Sequence, residues 1–206
     1  MTQLSATPAA AALRTSLIFV RHGETDWNVS GRLQGQRDIP LNPRGRDQAG
    51  AVGRMLAKAY GADLAGLDFV CSPMARARET MEILRGAARL PAKEYALDDR
   101  LKELTFGDWE GLTWSEVKAR DPHGAALREA DKWDYKPPLG ESYADLGARI
   151  SPWLASLERP TLAVSHGGVA RALMHVVAGV DPAEASLAEI TQGRAMLFEK
   201  GEARWL

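Results

Sequence analysis

The sequence predicts an α/β fold, a three-layer α/β/α sandwich with a mostly parallel central sheet. Three observations carry that expectation. Short apolar runs with β-branched or aromatic members recur along the chain, each ends in a turn bearing a cap residue or glycine, and each turn opens onto apolar positions at helical spacing.

The first run, Leu17-Ile18-Phe19-Val20, reads as a buried strand that stops at Arg21-His22-Gly23. Downstream, Asn42-Pro43 reads as an N-cap followed by proline in the first helical position, and Ala49, Val52, Leu56 and Ala59 extend a helix over Pro43–Tyr60. The pattern repeats with a strand at 67–71, Ser72-Pro73 as cap and first-turn proline, and a helix from Met74 to about Leu90. A third strand at 162–165 leads through His166-Gly167-Gly168 into a helix marked by Val169, Leu173, Val176 and Val177. Ala195–Phe198 and Arg204–Leu206 pair as an edge hairpin around Gly201. Tyr143, Leu146, Ile150, Trp153 and Leu157 mark one more helix. Pro152 lies inside it, where an interior proline costs ~3 kcal/mol or more, so a kink or a break is expected there. From Thr105 to Gly140 the signals are short and mixed.

The 206 residues fit a domain over 16–206 behind a mobile N-terminal arm of residues 1–15, which is rich in Ala, Thr and Ser. A net charge of -1 with no Lys/Arg-rich block argues against a nucleic-acid partner. No run reaches the ~20 apolar residues of a membrane span. The N-terminus lacks the basic and apolar regions of a signal peptide. A lone cysteine, Cys71, cannot close an internal disulfide, which fits a reducing, cytoplasmic setting.

In open parallel sheets, ligands bind beyond the carboxyl ends of the strands. Arg21-His22, Ser72 with Arg76, and His166-Gly167 all follow strand ends, so separate segments deliver histidine and arginine to one edge. Arginine forks match phosphate oxygens, helix N-termini add N–H donors, and a neutral imidazole is a competent nucleophile. Arg21 and Arg76 would disfavour a charged His22. A departing alkoxide needs a proton, for which Glu103 is the candidate, with Glu110 and Asp108 as nearby competitors.

These residues sit in blocks: Arg21-His22-Gly23-Glu24-Thr25 with Trp27-Asn28; Leu33-Gln34-Gly35 with Asp38, Pro40-Leu41 and Gly45; Ser72–Ala77 with Thr80; Glu103 with Phe106–Gly111; Gly140-Glu141-Ser142; and Val164–Gly168. Together, and in this order, they resemble the histidine phosphatase superfamily, also called phosphoglycerate-mutase-like, over essentially residues 17–200. The resemblance implies phosphohydrolase activity on a small phosphorylated substrate, with no metal and no cofactor. It implies His22 as the phosphorylated nucleophile and Arg21 and Arg76 as grips on the phosphoryl oxygens. His166 would stabilise the transition state, and Glu103 would act as acid and then as base. Asn28 and the Gly167 backbone would add phosphate contacts, and Gln34 and Gly35 would approach the rest of the substrate. Met81 and Pro152 depart from the family pattern away from this chemistry.

Plainer roles compete. A strand-end histidine can merely cap a turn, Arg76 can be a solvated helix arginine like Arg78 or Arg85, and Asn28, Gln34 and Gly35 can be ordinary loop residues. His123 and His175 are read as surface or packing. Trp109, Trp114, Trp133 and Tyr135 are read as packing, with a substrate mouth as the alternative. Two other functions share the motifs: a phosphoglycerate mutase, and a non-catalytic binder of phosphorylated ligands. The residues after Glu103 look more like the phosphatases. Neither the substrate nor the oligomeric state is legible.

Overall fold

A computed structural model of the protein describes residues 13–206. The strands are β1 (Leu17–Arg21), β2 (Asp68–Cys71), β3 (Ala96–Leu97), β4 (Thr161–Ser165), β5 (Ala195–Glu199) and β6 (Glu202–Trp205). They form one sheet in the order β3-β2-β4-β1-β5-β6. The four strands from β3 to β1 run parallel, and β5 and β6 close the other edge antiparallel. Lys200 and Gly201 both take positive φ, 53° and 80°, the backbone a tight two-residue hairpin requires, so the expected edge hairpin forms.

The helices are α1 (Asp26–Val29), α2 (Pro43–Tyr60), α3 (Ala75–Ala87), α4 (Trp114–Arg120), α5 (Pro122–Ala130), α6 (Tyr143–Ala155), α7 (Gly167–Val176) and α8 (Pro182–Leu187). Side chains alternate across β1. Leu17 and Phe19 pack with Leu146, Ile150 and Trp153 of α6 and Val169 and Leu173 of α7. Ile18 and Val20 pack on the other face with Val52 and Leu56 of α2 and Ala77, Met81 and Leu84 of α3. A period of two, with apolar residues on both faces, gives helix–sheet–helix layers. Every residue of β4 is buried, which is why its centre, Leu162-Ala163-Val164, reads as an apolar run.

Helix α2 begins where the sequence places it, with the Asn42 side chain accepting from the Gly45 amide at 2.8 Å and Pro43 in the first turn. Helix α3 starts later than expected. Its N-cap is Met74, and Pro73 stays outside the helix. The Ser72 hydroxyl lies 2.8 Å from His166 Nε2 and also accepts from the Met74 amide at 3.4 Å, so it serves the turn and a tertiary contact together. Pro152 does not break α6, which runs on to Ala155. Only its last turn loses a backbone bond, and the neighbouring Ser151 hydroxyl donates to the Gly147 carbonyl at 2.7 Å.

The stretch 105–140 contains α4 and α5. Thr113 and Glu116 form a reciprocal capping box at the start of α4, and Asp121 caps α5 through the Gly124 amide at 2.8 Å. Trp109, Val117 and Ala125 make a small separate core beneath Trp114 and Tyr135. The expected N-terminal arm lies mostly outside the described residues; within them, Leu13 packs against the main core. No helix among the described residues is long and apolar enough to cross a membrane.

Candidate active site

Arg21 ends β1 and His22 follows it, Ser72 follows β2, and His166 follows β4, so the carboxyl ends of adjacent parallel strands deliver these groups to one place. The two histidine rings lie 5.2 Å apart, centroid to centroid, and both are buried.

His22 Nδ1 sits 2.7 Å from the Gly23 carbonyl oxygen. A carbonyl only accepts, so the Nδ1 position carries the proton and Nε2 keeps its lone pair. The Gly23 amide donates to Thr80 Oγ1 at 3.0 Å, and that hydroxyl donates to the Arg76 carbonyl at 2.7 Å, which ties the His22 turn to α3. Burial holds the His22 imidazole well below its ordinary range, and the charges of Arg76 and Arg21 add to that. The sequence points to the arginines; desolvation is the larger cause. His166 is depressed likewise, by burial first and then by Arg76, His22 and Arg21.

Both arginines are anchored by some nitrogens and open at others. Arg21 Nη1 donates to the Ile190 carbonyl at 2.7 Å. Arg76 donates from Nη1 to the Arg37 carbonyl at 2.7 Å and from Nη2 to the Gly35 carbonyl at 2.8 Å. Among the described residues, Arg21 Nε, Arg76 Nε and His166 Nδ1 are buried without a partner, as is the Gln34 amide oxygen. A buried unsatisfied polar group costs ~1–3 kcal/mol, and here both arginines and His166 lie near His22. Together they make a cradle suited to an oxyanion.

Glu103 lies at the edge of this cradle. Its two oxygens accept from the Leu104 amide at 3.0 Å and the Gly168 amide at 3.1 Å. A Cβ at Gly168 would overlap that carboxylate, which accounts for glycine at this step of α7. The Glu103 carboxylate also opposes, at Arg21 and Arg76, the lowering that burial imposes on both guanidinium groups. Its competitors are placed elsewhere. Glu110 accepts from the Gln36 amide, the Thr105 hydroxyl and the Phe106 amide and pairs with Arg37, so it clamps a loop; Asp108 is exposed.

Asn28 Oδ1 accepts from the Thr25 amide at 3.1 Å and from Gln192 Nε2 at 3.0 Å, which fixes the amide; among the described residues its NH2 group has no partner. Gly35 has φ +51°, and a Cβ there would overlap Glu110; its carbonyl faces Arg76. A Cβ on Gly167 would lie 3.3 Å from Arg21 Nε, so that amide belongs to the same cradle. His123 is exposed. His175 packs edge-on to Trp133 at 4.8 Å, with Nδ1 2.9 Å from the Val180 carbonyl.

Sequence reasoning misses several supporting residues. Gln192 donates to both the His22 carbonyl and Asn28. Arg149, on α6, donates to the carbonyls of Arg100, Lys102 and Glu103 while paired with Glu141, so it fixes the backbone that carries Glu103. Glu141 falls in a motif block, which is a signal; Gln192 and Arg149 act on distant carbonyls and leave none. Among the described residues, no group of His, Cys, Asp and Glu side chains is placed to hold a metal ion.

Residues 17–205 match the family model described as histidine phosphatase superfamily, branch 1. The chain belongs to that superfamily. It is 36% identical over 170 residues to the glucosyl-3-phosphoglycerate phosphatase of Mycobacterium tuberculosis, covering 76% of this chain and 72% of that one. It is 29% identical over 197 residues to a 2,3-bisphosphoglycerate-dependent phosphoglycerate mutase of Bartonella bacilliformis, covering 91% of this chain and 93% of that one. The native structure of the mycobacterial glucosyl-3-phosphoglycerate phosphatase superposes with a TM-score of 0.75 at 32% identity, covering 88% of each chain. The superfamily assignment agrees with the motif resemblance, and the sheet and its flanking helices agree with the expected α/β class.

Proposed function

We propose that the protein is a phosphomonoester hydrolase that works through a phosphohistidine at His22, on a small phosphorylated metabolite. The observation that carries this reading is the buried His22, kept neutral by its surroundings, with unpartnered buried nitrogens of Arg21, Arg76 and His166 close by. In the first step His22 Nε2 attacks phosphorus, the P–O ester bond breaks, and Glu103 gives its proton to the departing oxygen. Arg21, Arg76, His166, Asn28 and the Gly167 amide bear the charge of the transferring group. In the second step Glu103 takes a proton from water as that water attacks the phosphohistidine, releasing inorganic phosphate and neutral His22. Gly35 serves by holding Arg76, and Gln34 approaches the rest of the substrate. The buried Cys71 thiol fits a cytoplasmic location.

Mutase relatives share the nucleophile, and a mutase returns the phosphoryl group to product where a hydrolase gives it to water. Rapid quench with labelled p-nitrophenyl phosphate should trap an acid-labile, base-stable phosphoenzyme that decays with release of phosphate. Equal trapping in His22→Ala would refute the nucleophile. Isomerisation of 3-phosphoglycerate faster than phosphate release would favour the mutase.

A further inference from the structure

Residues 34–37 form a tight turn, closed by the Arg37 amide donating to the Gln34 carbonyl at 3.0 Å. The turn lies away from the strand ends, yet it touches two groups of the site. The Gly35 and Arg37 carbonyls are the two acceptors that anchor the Arg76 guanidinium, at 2.8 and 2.7 Å. Between them in sequence, the Gln36 side chain donates from Nε2 to the Glu103 carbonyl at 3.0 Å. A displacement of this one turn therefore moves the phosphate grip and the acid together.

One carboxylate holds the turn. Glu110 Oε1 accepts from the Gln36 amide at 2.9 Å. It also accepts from the Thr105 hydroxyl at 2.8 Å and the Phe106 amide at 3.3 Å, both just beyond Glu103 in the chain. Oε2 lies 3.3 Å from Arg37 Nε; the Glu110 side chain is 9% exposed and that of Arg37 66%, so the ion pair sits at the wet end of a buried anchor. Gly35 takes φ +51°, and a Cβ there would overlap Oε1, so the chain wraps closely around the carboxylate. Backbone bonds from Leu33 to Gly111 and Leu112, at 2.8 and 2.9 Å, hold the turn's base to the same segment. Both Glu110 oxygens are spent on these partners, and the residue serves the site from behind the turn.

We infer that Glu110 is a positioning residue for phosphoryl transfer: through the 34–37 turn it aims the Arg76 fork and steadies the backbone of Glu103, by the reach of Oε1 and not by its charge. The inference rests on reading the cradle as a phosphoryl site. Preorganised donors lower a barrier only while they are held where charge develops, and a misplacement of about 1 Å costs on the order of 10²-fold. Arg76 has the more to lose. Both of its carbonyl anchors belong to the turn, whereas the Glu103 carbonyl also accepts from Arg149 at 3.4 Å.

The test compares Glu110→Gln, Glu110→Asp and Glu110→Ala. Glutamine keeps an oxygen at the same reach and loses only the Arg37 pair, so kcat/KM for p-nitrophenyl phosphate should stay within about five-fold of the wild type. Aspartate keeps the charge but falls a methylene short, and it should lose about 10²-fold, as alanine does. The Kd of inorganic phosphate, measured by calorimetry, reads the grip without turnover. Aspartate and alanine should weaken it about ten-fold, the scale of one charge-assisted hydrogen bond, and glutamine should not. In the Arg76→Ala protein neither should weaken it further. Gln36→Ala, at an exposed position, cuts only the link to Glu103. It should lower kcat/KM for glycerol 3-phosphate more than for p-nitrophenyl phosphate and leave phosphate binding unchanged. Glu110→Asp as active as the wild type, Glu110→Gln as damaged as Glu110→Ala, weaker phosphate binding that persists in Arg76→Ala, or Gln36→Ala indistinguishable from the wild type would overturn the inference. Should the shorter variants fail to fold, a Glu110→Gln protein impaired beyond ten-fold, or an unaffected Gln36→Ala, still overturns it. Failure of the hydrolase reading looks different: the wild type would release no phosphate from either ester, while the phosphate-binding comparison still reports on Glu110.

Discussion

Lys132→Met should make the protein more stable at neutral pH. The ammonium falls from the ordinary lysine value of 10.5 to about 8 because it is buried and faces Arg171 and Arg128. At 1.36 kcal/mol per pH unit, that fall amounts to a ceiling of about 3 kcal/mol. Lys132 is only partly buried, so solvent screening reduces the destabilisation to about 1 kcal/mol. The sign follows from proton counting. Between pH 8 and 10.5 the unfolded chain binds the proton more tightly than the folded one, so stability rises with pH across that window, and below it the penalty is felt in full. Methionine keeps the stem and its packing while removing the charge. The variant should therefore melt about 2–4 °C higher at pH 7, given the usual scaling for a domain of this size. The advantage over the wild type should shrink by more than half at pH 10.5. Calorimetric melting of both proteins at the two pH values measures this. A variant no more stable than the wild type at pH 7, or an advantage unchanged at pH 10.5, would show that Lys132 is not strained by its neighbours.

Three further outcomes follow from the site. Arg76→Lys should lower kcat for p-nitrophenyl phosphate by about 10²–10³-fold, because lysine cannot both reach the Gly35 and Arg37 carbonyls and present a planar fork to the phosphoryl group; a rate near wild type would remove Arg76 from the site. The pH profile of kcat/KM should show no loss of nucleophile at the ordinary imidazole range near 6.5, since His22 stays neutral below it, and stability should fall as pH drops through that range because only the unfolded chain takes up those protons; a His22 titration near 6.5, followed by NMR, would contradict both. Arg149→Gln should slow alkyl phosphates more than p-nitrophenyl phosphate, up to the ~10²–10⁴-fold that general acid catalysis supplies, because it loosens the backbone carrying Glu103; equal slowing of both would make Arg149 merely structural.

The parts legible in the sequence share a physical cause. Helix α2 shows its start in Asn42-Pro43, and the strands before His22 and His166 are apolar because the sheet is covered on both faces. Where legibility failed, a distant contact decided the outcome. Ser72 has the chemistry of a helix cap and accepts from the Met74 amide, but its hydroxyl also meets His166, 94 positions on, and α3 begins late. Helices α4 and α5, of 7 and 9 residues, are too short for a 3.6-residue apolar period to stand out, although Thr113-x-x-Glu116 and Asp121-Pro122 mark their starts.

The candidate site divides along the same line. The groups proposed to handle the phosphoryl transfer lie directly after strand ends, where topology alone brings Arg21, His22 and His166 together, so short motifs reveal them. Arg149 and Gln192, which hold the backbone of Glu103 and of His22, act on carbonyls distant in sequence and leave no such mark.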